Sequence, residues 1–486
     1  MTQNNLILIT LLLPLFGAAG IWLAREKPNL RESVTLVTAA SLFILVAQQA
    51  LPVFDGARPE IILFETLHGM PIAFRIEPLG MLFALIASGL WIVNSIYSIG
   101  YMRANGENNQ TRFYICFALS IASAVAVAFS ANLLTLFLFY EAMTLITYPL
   151  VTHRGTDEVK KHGRNYLGIL MFTSVMFFLP ALIYVWFLTG TTDFRLGGIL
   201  PKGLGKAETE LLLILFIFGI GKAALMPFHR WLPTAMVAPA PVSALLHAVA
   251  VVKAGVFTIL KVFLYILGPT ALAGLTDWLI GLAAFTIVAA SFSAFNSNNL
   301  KRRLAYSTIS QLAYIVFAAA VLSPLSILGA IMHIATHAFG KITLFFAAGS
   351  IYTASHLTRV SQLDGIGRRM PWTMTAFAIG ALSMIGLPPA AGFVSKWFMI
   401  SGAVEQTRWF VLAIILFSTL LNAGYFLPIL YRAFFRPLSA EALAHPHGEA
   451  PILMVLALCI TAAGTLILFF CPGYLLALAQ HLVPAS

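Results

Sequence analysis

Long stretches without a charged residue constrain this chain more than any other feature of its sequence. Several are close to or longer than the roughly 20 apolar residues that an α-helix needs to cross a bilayer. The clearest are Val34–Pro52, Ile115–Tyr140, Leu279–Leu300, Thr373–Val394 and Val411–Tyr431. Hydrophobic residues make up 60% of the chain and charged residues 10%, against about 25% charged in soluble proteins. These features predict a helical membrane protein with many spans, because a membrane β-barrel would show short alternating segments instead.

The apolar segments predict an all-α polytopic membrane protein with 14 transmembrane helices. The predicted spans cover approximately 5–24, 33–53, 76–100, 113–130, 132–152, 163–189, 209–226, 241–267, 273–294, 302–322, 324–353, 373–404, 409–431 and 450–471. Prolines follow the seventh span and interrupt the twelfth, so we expect two broken helices. Transporters with inverted repeats place broken helices at matching positions in each half.

We therefore expect one membrane domain, 1–486, that contains two inverted-topology five-helix repeats. Helices 1–3 occupy 1–112, and the first repeat, helices 4–8, occupies 113–267. The second repeat, helices 9–13, occupies 273–431, and helix 14 with the C-terminal segment occupies 450–486.

Basic residues predict the orientation of the chain. Of its 29 lysines and arginines, roughly three times as many fall in loops on one predicted side as in the opposite loops, and basic loops favour the cytoplasmic side. We therefore expect a multi-pass protein of a prokaryotic cytoplasmic (inner) membrane with both termini on the non-cytoplasmic side. The net charge of +11 is attributed to these loops and not to nucleic-acid binding. Leu6–Ala24 lacks a basic leader, so we expect a first span and not a removed signal.

Several function classes have no support in the sequence. The three cysteines, Cys116, Cys459 and Cys471, form no CxxC spacing, so neither a disulfide framework nor a cysteine-held metal site is predicted. The chain shows no Walker loop, no GxGxxG after a strand-like run and no haem attachment motif. We predict no cofactor and no redox or hydrolytic site in this chain, although it could belong to an oxidoreductase complex.

Several charged residues lie inside the predicted spans and away from their first residues, where each costs about 2.5–3.5 kcal/mol on insertion scales. They are Glu141, Lys222, Lys253, Lys261, Lys341 and Lys396. Such residues normally face the protein interior or a wet cavity and mark ion or proton paths.

Glu141 and Lys222 lie in the first predicted repeat. Glu141 is followed one and two turns later by Thr144 and Tyr148, which could hold water or bond the carboxylate. A structural ion pair between helices is the alternative. Lys222 precedes the proline-rich break at 227–240, where unpaired backbone groups are tolerated if they line a cavity or are buried. The alternative for Lys222 is that its side chain snorkels to the surface.

His247, Lys253 and Lys261 share the eighth predicted span. Six residues, about 9 Å of helix, separate His247 from Lys253, and the two do not share a face. We expect no direct bond between them, although water could link them. Lys261 lies near the outer end of the span, so we expect it to snorkel to the surface.

The segment HIATHAFGK places His333, His337 and Lys341 at four-residue intervals, on one helical face over about 12 Å. Histidine binds a proton near neutral pH, so three such groups in a row provide steps for a proton. A polar seam between helices is one alternative. Zinc is another, because His-x3-His suits zinc on a helix, but the span holds no Cys, Asp or Glu, and no metal site is predicted.

Two further features belong to the second predicted repeat. Lys396 follows the second break in GLPPAAGFVSKWF. The tenth span carries polar residues three to four positions apart, which indicates one hydrated or hydrogen-bonded face. These residues are Ser307, Ser310, Gln311 and Tyr314. Together the buried groups predict a lateral proton path, and hence a proton or cation translocator driven from outside this chain.

Four blocks of the sequence resemble one family of membrane proteins. KAALMPFHRWLPTAMVAPAPVSALLHAVAVVKAGVF, NLLTLFLFYEAMTL, HIATHAFGKITLFF and GLPPAAGFVSKW are similar to signatures of the antiporter-like membrane subunits. These subunits occur in respiratory complex I, membrane-bound hydrogenases and Mrp-type sodium/proton antiporters. Because the chain ends soon after its fourteenth predicted span, it most resembles the Mrp D-type subunit.

The resemblance implies a proton-translocating subunit of a multi-subunit cation/proton antiporter, with other membrane subunits as partners and protons, or protons and sodium, as transported ions. The alternatives are a pumping subunit of a complex I or hydrogenase-type redox complex and a partner in a bicarbonate-uptake complex.

The resemblance also implies roles for individual residues. Glu141 would pair with Lys222, and Lys396 would be the terminal lysine. The remaining proton-translocating groups would be His247, Lys253, His333, His337 and Lys341.

Overall fold

The computed structural model describes residues 3–438 and 448–482. Residues 1–2 and 483–486, at the ends of the predicted membrane domain, lie outside the described part. The longer helices are α1 (Gln3–Leu23), α2 (Pro28–Phe54), α3 (Pro78–Ala104), α4 (Gln110–Phe129), α5 (Leu133–Val151), α6 (Asp157–Thr189), α7 (Lys206–Gly219), α8 (Ala240–Leu267), α9 (Asp277–Asn296), α10 (Leu300–Ala320), α11 (Pro324–Ser355), α12 (Pro371–Ile385), α13 (Gly392–Glu405), α14 (Trp409–Phe435), α15 (Ile452–Phe470) and α16 (Gly473–Gln480).

Within the described residues, 11 helices are long and apolar enough to cross a membrane. They are α1–α6, α8, α9, α11, α14 and α15. The other three predicted spans correspond to α7, to α10 and to α12 with α13. The helical membrane fold is therefore confirmed, whereas the count of fourteen and the two inverted repeats stay predictions.

Helix starts follow the local sequence. The Asn132 side chain accepts a hydrogen bond from the backbone N–H of Thr135 (2.8 Å) and caps α5. The Asn299 side chain accepts from the backbone N–H of Arg302 (3.0 Å) and caps α10. Each side-chain oxygen satisfies an N–H that the first helical turn leaves unpaired. Pro324 opens α11, where its missing N–H costs no helical hydrogen bond.

A β-hairpin that the sequence analysis did not predict separates α2 from α3. Its strands, β1 (Glu60–Leu67) and β2 (Met70–Arg75), are antiparallel, and Glu60 lies opposite Arg75. Ile62 and Phe64 of β1 are exposed. The hairpin was missed because its irregular register weakens the alternation that marks a strand.

The structure confirms the two expected helix breaks. The chain leaves helical geometry after α7 and forms a 3₁₀ turn, Gly221–Ala223, and then two short helical segments, Trp231–Thr234 and Ala235–Val237, before the next long helix. The indole N–H of Trp231 donates to the Gly221 carbonyl (3.0 Å) and satisfies one backbone acceptor in this break. The second break separates α12 from α13 and contains Pro388 and Pro389.

Two helices form the buried centre of the fold. The most hydrophobic 18-residue window of α8 is 100% buried and that of α11 is 94% buried, whereas the same windows of α1, α14 and α15 are 33% buried. The helix α11 contacts α3, α8, α10, α12, α13 and α15. Polar groups on α8 and α11 therefore meet other protein groups and not lipid. Two π-helical turns, Leu245–Val249 and Val262–Leu267, interrupt α8, and such turns are frequent at functional sites.

Candidate functional site

The structure buries nearly all of the charged and histidine side chains that the sequence analysis selected. Seven are completely buried: Lys222, His247, Lys253, Lys261, His333, His337 and Lys341. Lys396 is 3% exposed, and Glu141 is partly buried. Burial excludes snorkelling for these lysines, but burial alone does not separate a proton path from a structural network.

Lys222 lies in the first helix break and contacts α5. Its Nζ donates to the Tyr140 carbonyl oxygen (2.7 Å) and to Thr144 Oγ1 (2.6 Å). The same Nζ lies 3.1 Å from the centroid of the Tyr140 ring, a cation–π contact that stabilises a desolvated ammonium group. Gly255 of α8 permits this packing, because a Cβ there would lie 2.4 Å from the Lys222 carbonyl carbon.

The direct pair between Glu141 and Lys222 that the resemblance implied is not formed. Both carboxylate oxygens of Glu141 are shielded from solvent and have no hydrogen-bond partner among the described residues. The adjacent Tyr140 carbonyl and Thr144 hydroxyl occupy the Lys222 ammonium group instead, since they lie on the side of α5 that faces it. Glu141 therefore presents two free acceptor atoms at which a proton or a water molecule can bind.

The closest contact between selected groups joins α8 to α11. Lys253 Nζ lies 2.5 Å from His337 Nδ1. When the lysine is charged it donates to Nδ1, so the neutral imidazole then carries its hydrogen on Nε2. Within the described part of the chain, His337 Nε2 has no hydrogen-bond partner, and this nitrogen is therefore free to give up or accept a proton.

His247 has no hydrogen-bonded neighbour among the described residues. Neither of its ring nitrogens has a partner in 3–438 or 448–482, and its ring packs against Phe345 with centroids 4.8 Å apart. Lys253 bonds His337 and not His247. This agrees with the expectation that the two groups on α8 do not bond directly. His247 lies in the π-helical turn Leu245–Val249.

His333 has partners on both ring nitrogens. Nδ1 lies 2.8 Å from Ser395 Oγ on α13, and Nε2 lies 3.1 Å from Gln311 Oε1 on α10. The rings of His333 and His337 lie 5.9 Å apart between centroids. His333 and His337, which we call the histidine stripe of α11, therefore lie between Lys253 of α8 and residues near the second helix break.

The polar face of α10 meets this stripe. Lys341 Nζ donates to Ser307 Oγ (2.9 Å), and Gln311 contacts His333. Ser310 instead pairs with Ser291 Oγ of α9 (3.1 Å). The face is hydrogen-bonded to other helices along this length, which matches one of the two predicted alternatives.

Lys396 caps the C-terminus of α12 at the second helix break. Its Nζ donates to the carbonyl oxygens of Met384 (3.0 Å) and Ile385 (2.9 Å) at the C-terminus of α12. The Tyr314 ring lies 4.8 Å from the same nitrogen. A cation is favoured at this position because the final carbonyls of a helix are unpaired and carry partial negative charge.

Lys261 corrects the sequence analysis, because it does not snorkel. It is completely buried and forms an ion pair with Glu77, at the start of α3. The rings of Tyr265 and Phe194 lie 4.1 and 4.4 Å from its Nζ, and Arg75 of β2 lies 3.8 Å from Glu77. The lysine stays inside because a carboxylate and two aromatic faces compensate its desolvation.

The structure also identifies residues that the sequence analysis missed. Ser395 and Thr336 bond each other (3.0 Å) and surround His333. Thr336 lies three residues after His333, and Ser395 directly precedes Lys396; this proximity was the only signal. Among the described residues, no three His, Cys, Asp or Glu side chains lie close enough to hold a metal ion.

Comparisons with known proteins support the resemblance in the sequence. Residues 130–422 match the family described as NADH:quinone oxidoreductase/Mrp antiporter, TM. The N subunit of the NADH-quinone oxidoreductase of Desulforudis audaxviator (strain MP104C) is 33% identical over 371 residues, which cover 76% of this chain and 74% of that protein. The D-type subunit of the Na(+)/H(+) antiporter of Alkalihalophilus pseudofirmus is 25% identical over 438 residues, which cover 89% of this chain and 87% of that protein.

The fold agrees with these relatives. A chain of an archaeal membrane-bound sulfane sulfur reductase, a respiratory membrane complex, superposes with a TM-score of 0.84 at 24% identity and covers 98% of this chain and 97% of its own. The fold and the sequence thus define a multi-pass antiporter-like membrane subunit. The chain belongs to the NADH:quinone oxidoreductase/Mrp antiporter family, as expected from its sequence blocks.

Proposed function

We propose that this chain translocates protons along its row of buried lysine and histidine side chains, as one subunit of a multi-subunit cation/proton antiporter. The observation that carries the proposal is the 2.5 Å contact between Lys253 Nζ and His337 Nδ1. It joins two bases from the two central helices, α8 and α11, and both side chains are completely buried. Buried ionisable groups that face the interior of a membrane protein typically belong to proton relays.

The contact permits a defined proton transfer. The Lys253 ammonium gives one proton to His337 Nδ1, which leaves a neutral amine and a protonated imidazole. The imidazole then releases the proton on Nε2 to a water molecule or another base, because that nitrogen has no partner among the described residues. The ring is then neutral with its hydrogen on Nδ1, and it must return to the Nε2–H form before the reprotonated Lys253 can donate to Nδ1 again. A relay that accepts on one nitrogen and releases from the other is the chemistry for which imidazole is suited.

Other buried groups extend the relay on both sides. Lys341 and His333 continue it along α11, and Lys396 ends it at the second helix break. Lys222 ends it at the first break, where Glu141 offers acceptor atoms without partners in the described part of the chain. His247 of α8, whose ring nitrogens also lack partners among the described residues, packs against Phe345 of α11. Because these groups lie in a low-dielectric interior, a change of charge on one changes the energy of the next strongly. The sequential uptake and release of protons along the row follows from this coupling.

The assignment to an antiporter complex rests on the relatives. A D-type subunit of a Na(+)/H(+) antiporter matches most of the chain, which supports membrane subunits as partners and protons and sodium as candidate ions. We also propose a cytoplasmic-membrane location, non-cytoplasmic termini, fourteen spans and two inverted repeats within 113–267 and 273–431.

A second function has support of its own, because a relative with higher identity is the N subunit of an NADH-quinone oxidoreductase. In that case the same relay would be driven by electron transfer in partner subunits. A bicarbonate-uptake complex is the remaining alternative.

Purification of the tagged chain with its native partners, followed by reconstitution into vesicles, tests the proposal. A sodium or potassium gradient should drive proton movement, whereas co-purified iron–sulfur subunits and quinone-dependent pumping would favour the redox alternative. In the same vesicles, Lys222→Ala should abolish proton movement while the complex still assembles.

Lys206→Ala provides the matched control, because Lys206 starts α7 on the exposed surface. It should leave transport unchanged. Proton movement at the unmodified rate in Lys222→Ala would contradict the proposal.

A further inference from the structure

Ser395 holds a position between the histidine stripe and the second helix break that the translocation scheme does not use. It is completely buried, and its Oγ lies 2.8 Å from His333 Nδ1, 3.0 Å from Thr336 Oγ1 and 3.2 Å from the Gly392 carbonyl oxygen. A hydroxyl group has one hydrogen and two lone pairs. With these three partners the hydroxyl can bond His333 Nδ1 either as a donor or as an acceptor.

The neighbouring amide fixes the hydrogen on the other side of the imidazole. Gln311 Nε2 donates to the Met384 carbonyl oxygen (3.2 Å), so its Oε1 must face His333. An amide oxygen only accepts, and His333 Nε2 therefore carries a hydrogen whether the ring is neutral or charged. This leaves Nδ1, the nitrogen that faces Ser395, as the atom that gains and loses the proton.

Both protonation states of His333 find complete hydrogen bonding at Ser395. In the neutral state the hydroxyl donates to Nδ1 and accepts from Thr336. In the charged state Nδ1–H donates to Oγ, Thr336 still donates, and the hydroxyl hydrogen points to the Gly392 carbonyl. The two states differ by the added proton and by the direction in which the hydroxyl hydrogen points. A buried polar group left without a partner would instead destabilise one of them.

We propose that Ser395 relays protons between the second helix break and His333 Nδ1, an inference that rests on the proposed translocation function. A hydronium ion at the break gives one proton to the Oγ lone pair that is unused in the neutral state and leaves as water, while the hydroxyl's own hydrogen moves to Nδ1. The hydroxyl is regenerated, the imidazole gains one proton, and the reverse step returns a proton to water. Lys396 Nζ bonds the Met384 and Ile385 carbonyl oxygens and not Ser395, so the donor is the hydronium ion and not this ammonium group.

The electrostatic surroundings of His333 are defined by four groups. Lys396 of α13, Lys253 of α8, and Lys341 and His337 of α11 are the charged or titratable neighbours that act on it. All can carry positive charge, so protonation of His333 depends on the occupancy of its neighbours. A relay at Ser395 therefore operates only when an adjoining site has released its proton.

Ser395→Ala and Ser395→Thr, measured for proton movement in reconstituted vesicles, test the proposal. Removal of the hydroxyl should slow transport about tenfold or more, the effect of one lost hydrogen bond to an ionised group. Threonine retains the hydroxyl and should restore at least half of the rate. Ser88→Ala is the matched control, because Ser88 is equally buried and bonds only its own helix; it should transport normally.

The outcomes separate the relay from a purely structural role of Ser395. Normal transport in Ser395→Ala would overturn the relay, and so would slow transport in both Ser395 variants with unchanged thermal stability. A parallel Lys253→Met variant tests the proposed function itself. If that variant also transports normally, the proposed function fails; if it alone is inactive, only the relay at Ser395 fails.

Discussion

The buried pair of Lys261 and Glu77 gives a prediction that can be worked out in detail. Both side chains lie inside the protein, and Lys261 has no other carboxylate partner within 4 Å among the described residues. Replacement of Lys261 by methionine keeps the length of the side chain but leaves Arg75, at 3.8 Å, as the remaining cationic partner of the carboxylate among the described residues. Loss of one member of a buried ion pair typically costs about 3–5 kcal/mol.

The double variant should behave differently. Lys261→Met with Glu77→Gln removes both charges, and replacement of a whole buried pair by neutral groups is often close to neutral. We therefore expect Lys261→Met to lower the free energy of unfolding by about 3–5 kcal/mol and the double variant to lower it by about 1 kcal/mol or less. The coupling energy of the pair is the effect of the double variant minus the sum of the two single effects.

Unfolding in mixed detergent micelles, followed by circular dichroism, measures the four proteins of this double-mutant cycle. A coupling energy of about 2 kcal/mol or more is expected for residues in direct contact. If the two single changes add within about 0.5 kcal/mol, the reasoning is refuted. Lys261 would then not be held by Glu77, and snorkelling would again explain its position.

Two further predictions concern the helix break and a surface ion pair. Gly255→Ala should disrupt transport and lower the free energy of unfolding by about 1–3 kcal/mol, because its Cβ would lie 2.4 Å from the Lys222 carbonyl carbon. Gly281→Ala is the control and should be tolerated, because a Cβ there meets free space. Vesicle transport and unfolding measurements compare the two variants. Outside the spans, hydrogen bonding to Arg432 lowers the pKa of the Asp364 carboxyl. The pair stabilises the fold above the ordinary carboxyl pKa, and this stabilisation is lost as pH falls through the lowered value. In Asp364→Asn the pair is absent, so thermal unfolding should no longer show that loss of stability in acid.

The sequence predicted the position of the buried charges better than their partners. Helical spacing placed His333, His337 and Lys341 on one face, and polar residues of α10 on another, and the structure brings these faces together at Ser307 and Gln311. Spacing determines which residues of a single helix share a face. It does not determine which other helix covers that face, so the 2.5 Å contact of Lys253 with His337 could not be predicted.

The errors and omissions have the same cause. Lys261 was expected to snorkel because it lies near the outer end of its predicted span, and its partner, Glu77, is distant in the chain. The resemblance implied a pair between Glu141 and Lys222, whereas the hydrogen bonds of the Lys222 ammonium group go to a backbone carbonyl and to the Thr144 hydroxyl. Backbone groups compete with side chains for a buried ammonium group, and a sequence does not show which carbonyls a helix break leaves accessible.

Proton movement in vesicles that contain Lys253→Met is the most direct test of the buried relay. The control is the double variant Lys261→Met with Glu77→Gln, because both lysines lie completely buried on α8. We predict an assembled complex without proton movement for Lys253→Met and near-normal movement for the control. Proton movement at the unmodified rate in Lys253→Met would contradict a relay through the Lys253–His337 contact.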